Sequence, residues 1–116
     1  MTGSSPLDHL SQQTELAIVT RSEADALILA LSGELDLDSS SLLEQEIEAG
    51  AANGSPHLVI DLSGLEFIDS SGLRTLLRAH ERARERDLRF SLIRGGPTVH
   101  RVFELTRMDE IFTFEG

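Results

Sequence analysis

The sequence predicts a single α/β domain, a mixed sheet of four to five strands with three to four helices. Short β-rich apolar runs alternate with amphipathic helical stretches, and glycine, proline and asparagine clusters punctuate the joins. At 116 residues there is room for one domain only. A chain near this length buries roughly two-thirds of its unfolded surface, enough for a core without covalent staples.

Leu16–Thr20 and Leu27–Ser32 read as two strands joined by the polar break Arg21–Asp25, which suggests an antiparallel hairpin. Gly33 is expected to break the second strand and turn the chain. Asp38 or one of Ser39, Ser40 and Ser41 then offers a cap for a helix whose apolar stripe holds Leu42, Leu43, Ile47 and Ala51. Gly50 or Gly54 stops that helix. His57–Leu62 is apolar at consecutive positions, the mark of a parallel strand buried on both faces. Ser63-Gly64 turns, and Leu65 and Phe67-Ile68 return to the core. The next helix sets Leu73, Leu76, Leu77, His80 and Ala83 against Arg74, Arg78, Glu81, Arg82 and Glu85, and Arg86-Asp87 ends it. Leu88–Ile93 is a further strand. Gly95-Gly96-Pro97 breaks it before a short helix, with Thr98 as its cap and Val99, Val102, Phe103 and Leu105-Thr106 facing inward. Ile111–Phe114 closes the chain as an edge strand or a docked tail. The order is β-β-α-β-α-β-α-β. Residues 1–13 are expected to form a disordered leader, marked by Gly3, Ser4, Ser5 and Pro6, and residues 14–116 the folded domain.

Composition removes several classes of function. There is no cysteine, hence no disulfide, no thiolate nucleophile and no Cys-based metal site, as suits a reducing cytoplasmic compartment. No apolar run approaches the ~20 residues of a membrane span, and Met1–Ser11 lacks the pattern of a secretory signal. Ten basic against twenty acidic residues, a net charge of −10, cannot cover a phosphate backbone, so no nucleic-acid partner is expected. The charge is uneven: residues 1–69 carry net −12 and residues 70–116 net +2, and every basic residue is Arg. That imbalance serves solubility or offers an acidic face to a basic protein partner. The five phenylalanines, with no Tyr or Trp, read as core anchors and provide no stacking platform for bases.

The densest information lies in Leu58–Leu77. Asp69-Ser70-Ser71-Gly72 opens an amphipathic helix, and two readings stand side by side. In one, Asp69 or Ser70 is an N-cap and Gly72 permits close backbone approach. In the other, Ser70 is exposed at a helix N-terminus, where amide groups and the helix dipole accommodate a phosphate. A phosphate there adds about −1.5 to −2 charge. Beside Asp69, and beside Asp36 if the two loops meet, it would alter a recognition surface.

Gly33–Asp36, Val59–Ser63 and Phe67–Leu73, with Val99–Met108 and Ile111-Phe112, together resemble the bacterial anti-sigma factor antagonists, small single-domain members of the STAS superfamily. The likeness spans residues 14–115 in order and spacing. It implies that Ser70, with Ser71 as fallback, is phosphorylated by a partner that is both an anti-sigma factor and a serine kinase. It implies further that the unphosphorylated form binds that partner and frees a sigma factor, and that a serine phosphatase resets the modified form. Asp36 matches the acidic residue near the phosphoacceptor. The partner-binding surface is expected to hold Glu34, Asp36, Asp69, Ser70, Ser71, Gly72 and Arg74.

On this reading the protein is no enzyme and needs no cofactor or metal; nucleotide and metal belong to the kinase. No Gly-x-Ser-x-Gly elbow surrounds Ser70, and the histidines and acids show no metal-ligand spacing. His57, His80 and His100 are the candidate bases, His80 reading better as half-buried packing, and His9 falls in the leader. Paired-carboxylate chemistry at Asp36 and Asp69 lacks a substrate cleft. Two alternatives differ in class: a STAS-type scaffold or regulatory subunit bound constitutively to a protein partner, and a small-ligand module for which no polar pocket is visible.

Overall fold

A computed structural model describes residues 15–115; the leader expected over residues 1–13, with His9, lies outside the described residues. Strands β1 (Ala17–Glu23), β2 (Ala26–Leu35), β3 (His57–Ile68), β4 (Arg89–Ile93) and β5 (Phe114–Glu115) form one sheet in that spatial order. The β1–β2 pair is antiparallel and every other pair is parallel. Helices α1 (Ser40–Ala52), α2 (Ser70–Glu85) and α3 (Pro97–Leu105) bridge the parallel steps, and a 3-10 turn over Met108–Glu110 precedes β5. The expected mixed α/β sheet and the β-β-α-β-α-β-α-β order are both present. No helix among the described residues is long and apolar enough to cross a membrane.

One core holds the domain. Alternate strand residues Leu27, Leu29, Leu31, Leu58, Ile60, Leu62, Phe90 and Leu92 meet Leu43 and Ile47 of α1, Leu73, Leu76, Ala79 and Ala83 of α2, and Val99 and Phe103 of α3. Because these strand positions share one parity, all three helices pack on the same face of the sheet. His80 lies half-buried between the rings of Phe90 and Phe112, at centroid distances of 6.1 and 5.5 Å, so its reading as a packing residue holds.

Several local expectations need correction. The polar run Arg21–Asp25 is mostly strand: β1 reaches Glu23 and only Ala24-Asp25 turn, with Ala24 at φ 53°. An edge strand tolerates polar side chains on its exposed face, and Arg21 pairs with Glu23 there at 3.0 Å. Gly33 does not end β2. It sits in the left-handed region at φ 91°, at a register irregularity between β2 and β3, and a Cβ there would lie 2.0 Å from the Glu15 carbonyl oxygen. Ser63-Gly64 likewise continues β3, which runs for 12 residues because the prolonged β2 gives it a partner as far as Ile68.

In α1 the N-cap residue is Ser39, Leu42 is exposed, and the buried stripe is Leu43, Ile47 and Gly50. Gly50 lies inside the helix against Leu27 and Leu58; Gly54, at φ 82°, follows the C-cap Asn53. The N-cap of α3 is Gly96 with Pro97 as first helical residue, so Thr98 is not the cap. Val99, His100 and Phe103 are buried and Val102 packs partly buried against the core, whereas Leu105 and Thr106 are exposed, Leu105 at 70%. The C-terminal segment is an edge strand. Phe112 is buried, Ile111 is exposed, and Leu92 and Ile93 of β4 pair with Phe114 and Glu115. Glu115 Oε2 approaches the buried His57 Nε2 at 3.2 Å, and that nitrogen also meets Ser91 Oγ at 2.9 Å.

Candidate switch site at the ends of β2 and β3

The parallel pairing of β2 and β3 continues, through two register irregularities, to Leu35 opposite Ile68. The next residue of each strand is an aspartate, so Asp36 and Asp69 leave the sheet side by side. The Asp69 amide donates to the Leu35 carbonyl at 3.2 Å, which ties the two exits together. The meeting of the two loops, conditional in the sequence, is thus present in the fold, at the carboxyl ends of parallel strands where α/β domains place their working residues.

Each aspartate organises the helix that follows it. Asp36 Oδ1 accepts from the Ser39 amide at 3.1 Å, and the Asp36 amide donates to Ser39 Oγ at 3.0 Å. The Ser39 hydroxyl in turn donates toward the Glu34 carbonyl at 2.9 Å and Asp36 Oδ1 at 3.1 Å, and Ser40 Oγ donates to the Asp36 carbonyl at 2.6 Å. This web pins the Glu34–Ser40 turn against the start of α1. Asp69 is the N-cap of α2: its extended backbone (φ −114°, ψ −174°) points Oδ1 at the Gly72 amide, which donates at 3.0 Å.

Because Asp69 does the capping, Ser70 is left as the first helical residue. It is exposed, while Ser71 is half-buried and Gly72 buried. The first-turn amides of α2 and the positive end of its dipole adjoin the Ser70 hydroxyl. Gly72 has a second reason to be glycine, since Leu35 and Ile68 pass too close for a side chain. Arg74, one turn after Ser70, is exposed on the same helix face. Glu34, Asp36, Asp69, Ser70, Ser71, Gly72 and Arg74 therefore fall on two adjoining segments, Glu34–Asp36 and Asp69–Arg74.

Sequence reasoning missed the apolar part of this surface. Phe67, expected in the core, is 44% exposed, and Leu37, between Asp36 and Asp38, is 74% exposed. At the end of β3 the strict alternation lapses: Leu65 and Ile68 face the core and Glu66 and Phe67 both look outward. Only the apolar residue between two aspartates at Leu37 could have signalled it. The remaining exposed side of α2 is less open than expected, because Arg78 pairs with Glu44 and Arg82 with Glu48 of α1.

Other chemistry finds little support nearby. No group of three or more His, Asp or Glu among the described residues is arranged to hold a metal. His57 is engaged by Ser91 and Glu115, and His100 stacks on Phe103 at 6.1 Å. The crevice between α1 and α2, floored by Ile47, Leu58 and Ala79, offers about 30 Å³, the scale of one or two waters.

A family model described as "Mlab, STAS domain" matches residues 18–113. The crystal structure of an anti-sigma factor antagonist from Mycobacterium paratuberculosis superposes with a TM-score of 0.79 at 32% identity, covering 86% of this chain and 85% of that one. The chain belongs to the anti-sigma factor antagonist family of STAS domains. The anti-sigma-F factor antagonist RsfB of Mycobacterium tuberculosis is 28% identical over 103 residues, 89% of this chain and 84% of RsfB. The Bacillus cell fate determinant SpoIIAA, solved in its phosphorylated form, shares the fold with a TM-score of 0.65 at 20% identity, covering 86% of this chain and 92% of that one. As a member of this family the protein has a regulatory, non-catalytic function exercised through protein partners.

Proposed function

We propose that this protein is a phosphorylation-switched anti-sigma factor antagonist acting in the cytoplasm. Unphosphorylated, it binds an anti-sigma factor that is also a serine kinase and so releases a sigma factor. Phosphorylation of Ser70, with Ser71 as fallback, ends that binding, and a serine phosphatase restores it. One observation carries the reading: Asp69 caps α2, which leaves Ser70 exposed and outside the cap at the helix N-terminus, beside the exit of Asp36.

The chemistry asks little of this chain. Ser70 Oγ attacks the γ-phosphorus of ATP, the O–P bond forms as the bond to ADP breaks, and the hydroxyl proton leaves to a base on the kinase. What the chain contributes is presentation. The dipole and amides at the N-terminus of α2 tolerate the new phosphate, so the fold persists while the surface charge changes. The phosphate brings bulk and about −1.5 to −2 charge to the point where a partner fitted to the unmodified surface meets the neutral Ser70 hydroxyl, so the fit there is lost. The existence of SpoIIAA in a phosphorylated form supports the compatibility of this fold with such a switch.

The test is incubation of the purified protein with the anti-sigma factor kinase of the same genome and ATP, followed by mass-spectrometric site mapping. One phosphate per chain on Ser70, abolished in Ser70→Ala, is expected. No phosphate, or phosphate on Ser71 in the wild type, overturns the assignment of Ser70.

A further inference from the structure

Along the outer face of α2 and its C-cap, every fourth residue is Ser70, Arg74, Arg78, Arg82 and Arg86. The lower rungs are occupied from α1. Arg78 pairs with Glu44 and Arg82 with Glu48, both across an offset of 34 residues, and Arg86 reaches Glu48 at 3.5 Å. The same offset carried up to Arg74 arrives at Ser40, which is no anion. Its residue is buried and its hydroxyl is committed to the Asp36 carbonyl at 2.6 Å. Arg74 is exposed and makes no ion pair among the described residues. The next group along its own face is the Ser70 hydroxyl.

We propose that Arg74 is the intramolecular counter-ion of the Ser70 phosphate, so that phosphorylation completes the arginine ladder of α2. The inference rests on Ser70 being the modified residue. The geometry suits it twice over. Residues four apart on a helix are neighbours, and the favourable order places the anion N-terminal to the cation. A guanidinium also takes a phosphate through two parallel hydrogen bonds. Modification then changes the surface in two ways at once. It adds the phosphate charge, and it withdraws Arg74, the cation of the Asp69–Arg74 segment, from any acidic group of the partner.

Phosphoserine installed at position 70 by codon reassignment separates this inference from the kinase reaction, because the modified protein is obtained whichever residue the kinase selects. The 31P resonance is followed against pH in the full-length protein. Pairing with Arg74 favours the dianion, so the midpoint of the second ionisation in the wild type is expected about half a pH unit below that of Arg74→Gln. Arg74→Lys recovers part of the difference, and Arg78→Gln leaves the midpoint in place. Equal midpoints in the wild type and Arg74→Gln, or an equal displacement in Arg78→Gln, overturn the proposal. Failure of the kinase to modify Ser70 would instead remove the phosphorylation reading and leave this titration to answer its own question.

Discussion

Gly72 rests against Leu35: a Cβ built on it would lie 2.8 Å from both the Leu35 Cγ and the Leu35 carbonyl oxygen, and 2.9 Å from Ile68 Cγ1. The start of α2 is therefore seated directly on the ends of β2 and β3, and this contact places Ser70 beside Asp36. Gly72→Ala is expected to destabilise the domain by about 1–3 kcal/mol through overpacking, although alanine is the better helix former by about 1 kcal/mol. Urea denaturation measures it, and a neutral or stabilising result would contradict the close seating.

The N-cap at Asp69 has a separate signature. Asp69→Ala is expected to cost about 1 kcal/mol, whereas Asp69→Asn, which keeps an accepting oxygen for the Gly72 amide, stays within a few tenths of the wild type. Thermal or urea unfolding of the two variants distinguishes a cap from a purely electrostatic role. Equal losses in both would mean that charge, and not the hydrogen bond, is what Asp69 supplies to the fold.

Leu37 and Phe67 form the apolar component of an otherwise acidic surface. Exposed apolar residues of this kind anchor interfaces when charged neighbours form the rim. Leu37→Ser and Phe67→Ser are each expected to weaken binding to the anti-sigma factor about fivefold or more. At the same time Leu37→Ser leaves stability within about 0.5 kcal/mol. Calorimetric titration reads the affinity, and unchanged affinity in both variants would place the interface elsewhere.

Element order was legible from periodicity and turn signals, whereas the candidate phosphoacceptor segment Asp69–Gly72 was singled out by its resemblance to the anti-sigma factor antagonists. The α2 pattern from Leu73 to Ala83 and the apolar run His57–Leu62 are local properties of the chain. What stayed hidden depends on neighbours distant in sequence. Whether Gly33 ends a strand or bends one is decided by the Glu15 carbonyl that passes 2.0 Å from where its Cβ would stand. Whether Ser63-Gly64 turns is decided by the reach of β2. Phe67 reads as core by residue type, and only the lapse of alternation between Leu65 and Ile68 turns it outward. That Asp69 and not Ser70 takes the cap was hidden for a similar reason. Asp69 takes the Gly72 amide, and that bond exists only once α2 is seated.

The central claim is that the charge on Ser70 decides whether the partner binds. Its most direct measurement is the dissociation constant of the anti-sigma factor for the wild type, for the protein carrying phosphoserine at position 70, and for Ser70→Asp. Like-charge juxtaposition at a docked surface costs several kcal/mol, so the phosphorylated form is expected to bind at least ~100-fold more weakly than the wild type, with Ser70→Asp in between. Wild-type affinity in both the phosphorylated protein and Ser70→Asp would contradict the claim.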